Sequence, residues 1–369
     1  MNVKTVAVVF GTRPEAVKLA PVVAELRRHP DLRVRVVATA QHREMLDQAL
    51  AVFGVAPDVD LDLMRPGQTL PDLTARLVTA LANTFEAERP DAVLVQGDTT
   101  TAFAGALAAF YAHVPVGHVE AGLRSGVPDD PFPEEANRRL VGVLADLHFA
   151  PTPRAANNLR REGVPEARIL VTGNTVIDAL LGVLRALPSA PAPNGRRRLL
   201  MTMHRRENWG GPIREVCVAV REVLEARPDV ELLFPVHRNP LVREEVGGVL
   251  AGHPRVELAE PLDYGELVRA MRDCTLVLTD SGGIQEEAPT LGKPVLVLRR
   301  TTERPEAVEA GCARLVGTER AAVRGELMRL LDEPAAYAAM AHVANPFGDG
   351  RASERVALAL RQRLGLVGH

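Results

Sequence analysis

The sequence predicts an α/β fold made of two Rossmann-like, doubly wound domains facing each other across a cleft. Three observations lead there. Short apolar runs rich in β-branched residues alternate with longer segments of helical period along most of the chain. The short runs are apolar without a break, as parallel strands covered on both faces must be. The alternation stops at Pro188-Ser189-Ala190-Pro191-Ala192-Pro193-Asn194-Gly195, which cannot continue a helix and has little to bury, and then begins again. A length of 369 residues suits two domains.

In the first half, Val3–Phe10, Val34–Thr39, Ala92–Gln96, Val114–Val119 and Leu147–Ala150 read as buried strands. Helical segments lie between them at Ala16–Arg28, Thr69–Glu88, Thr100–Ala112 and Glu134–Ala145. In the second half the strands are Leu199–Thr202, Leu232–Pro235, Val256–Leu258, Thr275–Thr279 and Val295–Leu298, each followed by a helix. A last amphipathic helix, Ser353–Leu364, follows the loop Asn345-Pro346-Phe347-Gly348-Asp349-Gly350. The expected organisation is an N-terminal domain over 1–187, a C-terminal domain over 188–350, and a terminal segment 351–369 that packs back on the first.

Composition narrows the class. Hydrophobic residues make up 46% and charged residues 25%, the profile of a globular chain rather than a disordered or collagen-like one. The longest apolar runs fall far short of the roughly 18 residues that a spanning helix needs, so no membrane partner is expected. Forty-four basic against 47 acidic side chains leave a net charge of -3, which offers no global field to nucleic acid. Lysine occurs only at Lys4, Lys18 and Lys293. Cys217, Cys274 and Cys312 are odd in number and widely spaced, with no C-x-x-C pair, so neither a disulfide scaffold nor a structural zinc is expected. Met1–Thr5 runs straight into a strand too short for a signal-peptide core, with no small-residue cleavage site after it, and the chain reads as cytoplasmic.

In doubly wound sheets ligands sit at the carboxyl ends of strands, and the unusual residues of this chain cluster there. Gly11-Thr12-Arg13-Pro14-Glu15 follows the first strand and opens a helix carrying Lys18. It is neither G-x-G-x-x-G nor a Walker loop, which disfavours a nucleotide cofactor held in either manner. Gln96-Gly97-Asp98-Thr99-Thr100-Thr101 reads first as a helix cap. Gly117-His118-Val119-Glu120 places a carboxylate just after a buried strand, where it needs a partner or a use. Pro133-Glu134-Glu135 puts acids in the first turn of a helix, where they complement its dipole. Asp98, Glu120 and Glu134 would line one side of the same cleft.

The second half carries the opposite sign. His204-Arg205-Arg206 and His237-Arg238 stand at the ends of successive strands and suggest phosphate handling. Asp280-Ser281-Gly282-Gly283 turns from a strand into a helix whose exposed N–H groups suit a diphosphate. Glu287, one turn on, could accept from ribose hydroxyls, and Arg304 supplies another cation after the next strand. These residues argue for a nucleotide-sugar enzyme of GT-B architecture without choosing its reaction.

Taken together and in order, these motifs resemble those of the non-hydrolysing UDP-N-acetylglucosamine 2-epimerases of bacteria. The resemblance also rests on Gln41-His42-Arg43-Glu44-Met45-Leu46 and Thr172-Gly173-Asn174-Thr175, and it covers almost the whole chain. It implies an isomerase that interconverts UDP-GlcNAc and UDP-ManNAc. UDP is eliminated to give 2-acetamidoglucal and is then added back, with no redox cofactor and no metal. It implies acid/base roles for Asp98, Glu120 and Glu134, and contact of His204 with the departing diphosphate. Arg13, Lys18 and Arg138 would bind substrate from the N-terminal side. Ser281, Gly282, Gly283 and Arg304 would hold phosphate, Glu287 the ribose, and Leu262 and Leu267 would border the uridine. Gln41, Glu44, Arg205 and His237 match a neighbouring site at which UDP-GlcNAc activates many bacterial members. A homodimer is implied as well. Relatives often carry Asp at the position of Arg300 and an apolar residue at that of Arg238, departures that remove none of the catalytic groups.

Two other readings share the fold. A hydrolysing 2-epimerase would release ManNAc and UDP, and a GT-B glycosyltransferase would use a separate acceptor. Three acids exceed what simple transfer needs, and no acceptor-binding insertion is evident. A catalytically silent UDP-sugar sensor would have no use for the carboxylates and His204.

Overall fold

The computed structural model describes residues 3–39, 50–65, 67–188 and 195–368. Gln41, Glu44 and most of the Pro188–Gly195 segment lie outside the described residues. The chain divides into two compact units, Met1–Gly182 with Phe347–His369, and Val183–Pro346.

The first unit is a parallel sheet of β1 (Lys4–Phe10), β2 (Leu32–Ala38), β3 (Val59–Asp60), β4 (Ala92–Gln96), β5 (Val116–Val119), β6 (Leu147–Ala150) and β7 (Ile169–Val171). Its helices are α1 (Arg13–Arg27), α2 (Leu70–Glu88), α3 (Thr100–Tyr111), α4 (Glu134–Leu144), α5 (Pro153–Arg161) and α6 (Thr175–Ala186), the last running on across the unit boundary. The strand order is β3-β2-β1-β4-β5-β6-β7, so the winding reverses between β1 and β4.

The second unit repeats the scheme with β8 (Arg197–Thr202), β9 (Val230–Pro235), β10 (Val256–Ala259), β11 (Leu276–Thr279), β12 (Val295–Val297) and β13 (Ala313–Leu315). Around them run α7 (Gly211–Ala226), α8 (Pro240–Leu250), α9 (Tyr264–Asp273), α10 (Gly282–Glu287), α11 (Pro305–Ala310), α12 (Arg320–Asp332) and α13 (Pro334–Ala341). The order β10-β9-β8-β11-β12-β13 reverses between β8 and β11. Both units are thus parallel-sheet α/β structures of the predicted class. The strands β3, β7 and β13, two or three residues long, are additions to the sequence reading.

Local chemistry starts the helices. Pro14 stands in the first turn of α1, where a missing N–H costs nothing. The Thr69 and Thr99 side chains accept from the backbone N–H groups of Asp72 and Ala102, capping α2 and α3. Apolar cores fill the helix-to-sheet layers, with Val9, Leu77, Leu81, Val93 and Val95 in the first unit and Leu199, Met201, Val220, Phe234 and Leu278 in the second.

The final helix α14 (Ala352–Arg363) belongs to the first unit and packs on α1. The Asp178 carboxylate of α6 accepts from the N–H groups of Ala352 (3.2 Å) and Ser353 (2.7 Å), capping α14 from a distance in sequence. Arg361 donates to Asp31 at 2.7 Å near its other end. The approach to α14 requires glycine: a Cβ on Gly348, at φ +136°, would meet the Cα of Gly173 at 3.2 Å.

His118 on β5 and His148 on β6 are register partners, and each is 1% exposed. His118 donates from Nε2 to the Gly97 carbonyl at 2.7 Å. Burial holds His118 down to about 3 and His148 down to about 4.

Two outcomes are expected. Asp178→Ala leaves two buried N–H groups without their acceptor, which should cost about 1–2 kcal/mol and show as a lowered unfolding midpoint. The buried histidines have folded-state pKa values below the unfolded one, so the unfolded chain takes up protons first as the pH falls below about 6.5. Each should cost about 1.4 kcal/mol of stability per pH unit from there toward its folded pKa. Denaturation of His118→Gln against the parent chain at successive pH values should give a shallower loss; equal slopes would contradict this.

Candidate active site

In each unit several candidate residues follow the two strands between which the order reverses, β1 and β4 in the first and β8 and β11 in the second. In the first unit, Gly11 leaves β1 in a space with no room for a side chain. A Cβ there would stand 2.3 Å from Thr39 Oγ1 and 2.4 Å from Thr101 Oγ1. Glu15, fully buried, accepts from the N–H groups of Gly11 (3.1 Å) and Thr12 (2.8 Å) and from the Thr99 hydroxyl (2.6 Å). Burial pushes its carboxyl up, and these hydrogen bonds only partly offset it. The result ties the loop after β1 to the loop after β4.

Glu120 lies immediately past β5 with φ +64°, a left-handed conformation unusual outside glycine. Its carboxylate accepts from Lys18 Nζ at 2.5 Å, from Asn174 Nδ2 at 3.0 Å, and from Gln96 Nε2. Asp98, half-buried, follows Gly97 at the end of β4 and pairs with the guanidinium of Arg138. Its own carbonyl accepts from Asn137 Nδ2 at 3.0 Å. Arg138 in turn lies 3.3 Å from the wholly buried Glu135, which also takes Arg139 and the Ser125 N–H. Burial pushes the Asp98 carboxyl above its ordinary range; Arg138 opposes this, the Glu120 charge adds to it, and Lys18 opposes it.

Asp98, Glu120, Lys18 and Arg138 are therefore one electrostatic cluster. Glu134 is half-buried at the first residue of α4, one turn before Arg138, and among the described residues the hydrogen-bond network does not reach it. Arg13 is half-buried at the start of α1.

In the second unit, His204 follows β8 and Asp280 follows β11. The Asp280 carboxylate is completely buried and lies 3.1 Å from His204 Nδ1. It also accepts from the backbone N–H groups of His204 and Arg205 and from Asn208 Nδ2. Burial alone would raise its pKa, but the His204 hydrogen bond and charge, with the remaining donors, hold it below the ordinary range. Trp209 donates from Nε1 to the His204 carbonyl at 3.3 Å, and its ring centroid is 5.9 Å from that of His237. Burial and then the His204 charge lower the His237 pKa. Arg205 sits in the same group, 3.7 Å from Glu303.

Ser281, Gly282 and Gly283 are half-buried where α10 begins, so its first N–H groups lack intrahelical acceptors. A Cβ on Gly282 would lie 3.8 Å from Arg304 Cζ, which places the guanidinium over this turn. Arg304 is paired with the buried Glu286. Glu287 is buried and accepts from the Tyr264 hydroxyl at 2.6 Å. Leu262 and Leu267 flank the start of α9, both half-buried, and Tyr264 comes from the same turn.

Sequence reasoning missed the holding residues. Asp280 was legible only as part of a glycine turn, although a carboxylate ending an apolar strand is the signal that singled out Glu120. Gln96, Asn174 and Glu135 gave no sign of their roles. Among the described residues no group of three His, Cys, Asp or Glu side chains is placed to hold a metal ion, and no helix is long and apolar enough to cross a membrane.

Comparison with known proteins accords with this geometry. The family described as UDP-N-acetylglucosamine 2-epimerase matches residues 24–361. The UDP-N-acetylglucosamine 2-epimerase of Escherichia coli strain K12 is 50% identical over 368 residues, covering 96% of this chain and 98% of the relative. A UDP-GlcNAc 2-epimerase from Neisseria meningitidis, solved bound to UDP-GlcNAc, superposes with a TM-score of 0.90 at 46% identity, covering 97% of this chain and 100% of that one. A Methanocaldococcus jannaschii UDP-GlcNAc 2-epimerase, solved with UDP-GlcNAc and UDP, gives 0.79 at 32% identity, covering 96% and 99%. With nearly its whole length matched and half of its residues shared with such relatives, the chain belongs to the UDP-N-acetylglucosamine 2-epimerase family.

Proposed function

We propose that the chain interconverts UDP-GlcNAc and UDP-ManNAc as a non-hydrolysing 2-epimerase. The observation that carries this reading is the Asp98–Glu120 cluster, in which burial raises the Asp98 carboxyl despite its pairing with Arg138 while Glu120 is held by Lys18, Asn174 and Gln96. Inverting C2 needs one group to take a proton from one face and another to return a proton to the other. Two acids in unlike settings suit that division.

C2 of the sugar has no neighbouring carbonyl to stabilise a carbanion, so proton loss is coupled to departure of UDP. The C2–H electron pair forms the C1=C2 bond of 2-acetamidoglucal, and the C1–O pair leaves with the diphosphate. Re-addition of UDP at C1 and protonation of C2 on the opposite face complete the exchange, with nothing oxidised or reduced. In this reading the first unit supplies the acids, Asp98, Glu120 and Glu134, with Arg13, Lys18 and Arg138 as substrate contacts. The second unit holds UDP. Its α10 turn (Ser281, Gly282 and Gly283) and Arg304 meet phosphate, Glu287 the ribose, and Leu262 and Leu267 the uridine, Leu262 through its backbone. His204 steadies the diphosphate as charge develops on it. A second UDP-GlcNAc would bind as activator against Gln41, Glu44, Arg205 and His237. The enzyme would work in the cytoplasm as a homodimer.

Incubation with UDP-GlcNAc in deuterium oxide, followed by proton NMR, should give UDP-ManNAc carrying deuterium at C2 without free ManNAc. Free ManNAc with UDP would place the chain among hydrolysing epimerases, and sugar transfer only to an added acceptor would make it a transferase. Asp98→Asn and Glu120→Gln should each lower kcat by about 10³-fold while UDP affinity, measured by calorimetry, stays within about twofold. Affinity falling in step with rate would contradict the assignment. Conversion of UDP-ManNAc should speed up on addition of a trace of UDP-GlcNAc, and His237→Ala should remove that acceleration without abolishing turnover.

A further inference from the structure

His204 is an exposed ring on a buried mount. Its side chain is 50% exposed, whereas the Asp280 carboxylate behind it is fully buried. Asp280 Oδ2 accepts from the Arg205 N–H (3.0 Å) and from Asn208 Nδ2 (2.9 Å), and the His204 N–H is shared between Oδ1 and Oδ2 at 3.1 Å each. Asn208 cannot turn its amide round, because the same Nδ2 also donates to the Leu298 carbonyl at 3.3 Å. Oδ1 is then the oxygen that faces the ring, 3.1 Å from Nδ1. A carboxylate offers only lone pairs, so the nitrogen opposite it has to carry a proton.

We infer that Asp280 is the positioning residue of His204: it keeps the proton on Nδ1, aims the Nε2 edge outward, and supplies a buried counter-charge to the protonated ring. With Nδ1–H held by Asp280, the doubly protonated ring turns Nε2–H outward and meets a diphosphate as a charged donor. This rests on the reading that His204 meets the departing diphosphate. There, the C1–O electron pair passes to the diphosphate oxygen, and Nε2–H donates a hydrogen bond to that anion while its proton stays on His204. The charge opposite the leaving group is strongest when its counter-ion is a buried anion that needs no rearrangement during the step.

Asp280→Asn tests this at constant size. Its carbonyl oxygen must stay where the Arg205 N–H and Asn208 Nδ2 converge, so its amide nitrogen faces Nδ1 and requires a lone pair there, moving the ring proton to Nε2. In the full chain labelled with ¹⁵N-histidine, followed to the alkaline limit at which the ring signals stop changing with pH, His204 should show a protonated Nδ1 and a bare Nε2. The assignment comes from comparison with His204→Gln, and Asp280→Asn should reverse the pattern. In turnover, Asp280→Asn should lower kcat roughly 100-fold with KM changed less than about threefold. In a His204→Ala background it should cost nothing further, because a positioning residue acts only through the group it positions. A bare Nδ1 in the parent chain, an unchanged pattern in the variant, or losses that multiply in the double variant would each overturn the inference. Should the variant not fold, the spectrum of the parent chain decides alone. Absence of epimerisation by the parent chain would sink the proposed function and leave the tautomer test standing.

Discussion

Carboxylates taken out of water, at strand ends and in the helices that follow, and the donors they then demand, hold both candidate sites together. An ionised acid in an apolar interior is costly unless charge and hydrogen bonds replace its water. The chain buries Glu15, Glu120, Glu135, Asp280 and Glu286. Each is met by donors from a different part of its unit. Glu15 joins the loops after β1 and β4. Glu120 gathers Lys18 from α1, Gln96 from β4 and Asn174 from the turn before α6. Glu135 fixes Arg138, and Glu286 fixes Arg304. Satisfying the acids and placing the cations Lys18, Arg138 and Arg304 are the same act of folding.

The fold was largely legible because strands buried on both faces have to be unbroken apolar runs, and that pattern survives without tertiary knowledge. β3, β7 and β13 escaped because two or three residues carry no period. Glu120 was legible by the same logic, since a carboxylate at the end of a buried strand needs a reason, whereas Asp98 read first as a helix cap and His204 stood out through the similar arrangement at His237. Their holders were not legible. The donors to Asp280 lie 72 to 76 residues away, and those to Glu120 lie 24, 54 and 102 residues away, distances at which only the folded chain brings groups together. The acids opening α4 show the limit most clearly. Neighbours on a helix point about 100° apart, so the pattern could not say that Glu135 turns into the unit while Glu134 stays outside its network.

The two units also show how one topological place takes on opposite chemistry. Asp98 and Asp280 both follow the strand that lies beside the first strand of its sheet, β4 against β1 and β11 against β8. Asp98 is half-buried and Asp280 wholly buried, and in each case burial is the largest influence on the carboxyl. Around Asp98 the remaining influences are charges that partly cancel, two cations against the Glu120 anion, and burial prevails. Around Asp280 they are His204 and fixed N–H donors that all favour the anion, and burial is overcome. The first arrangement favours the protonated carboxyl; the second favours the carboxylate. Doubly wound topology thus supplies the location, and the balance between opposed charges and concerted N–H donors around it sets the direction in which the carboxyl there is shifted.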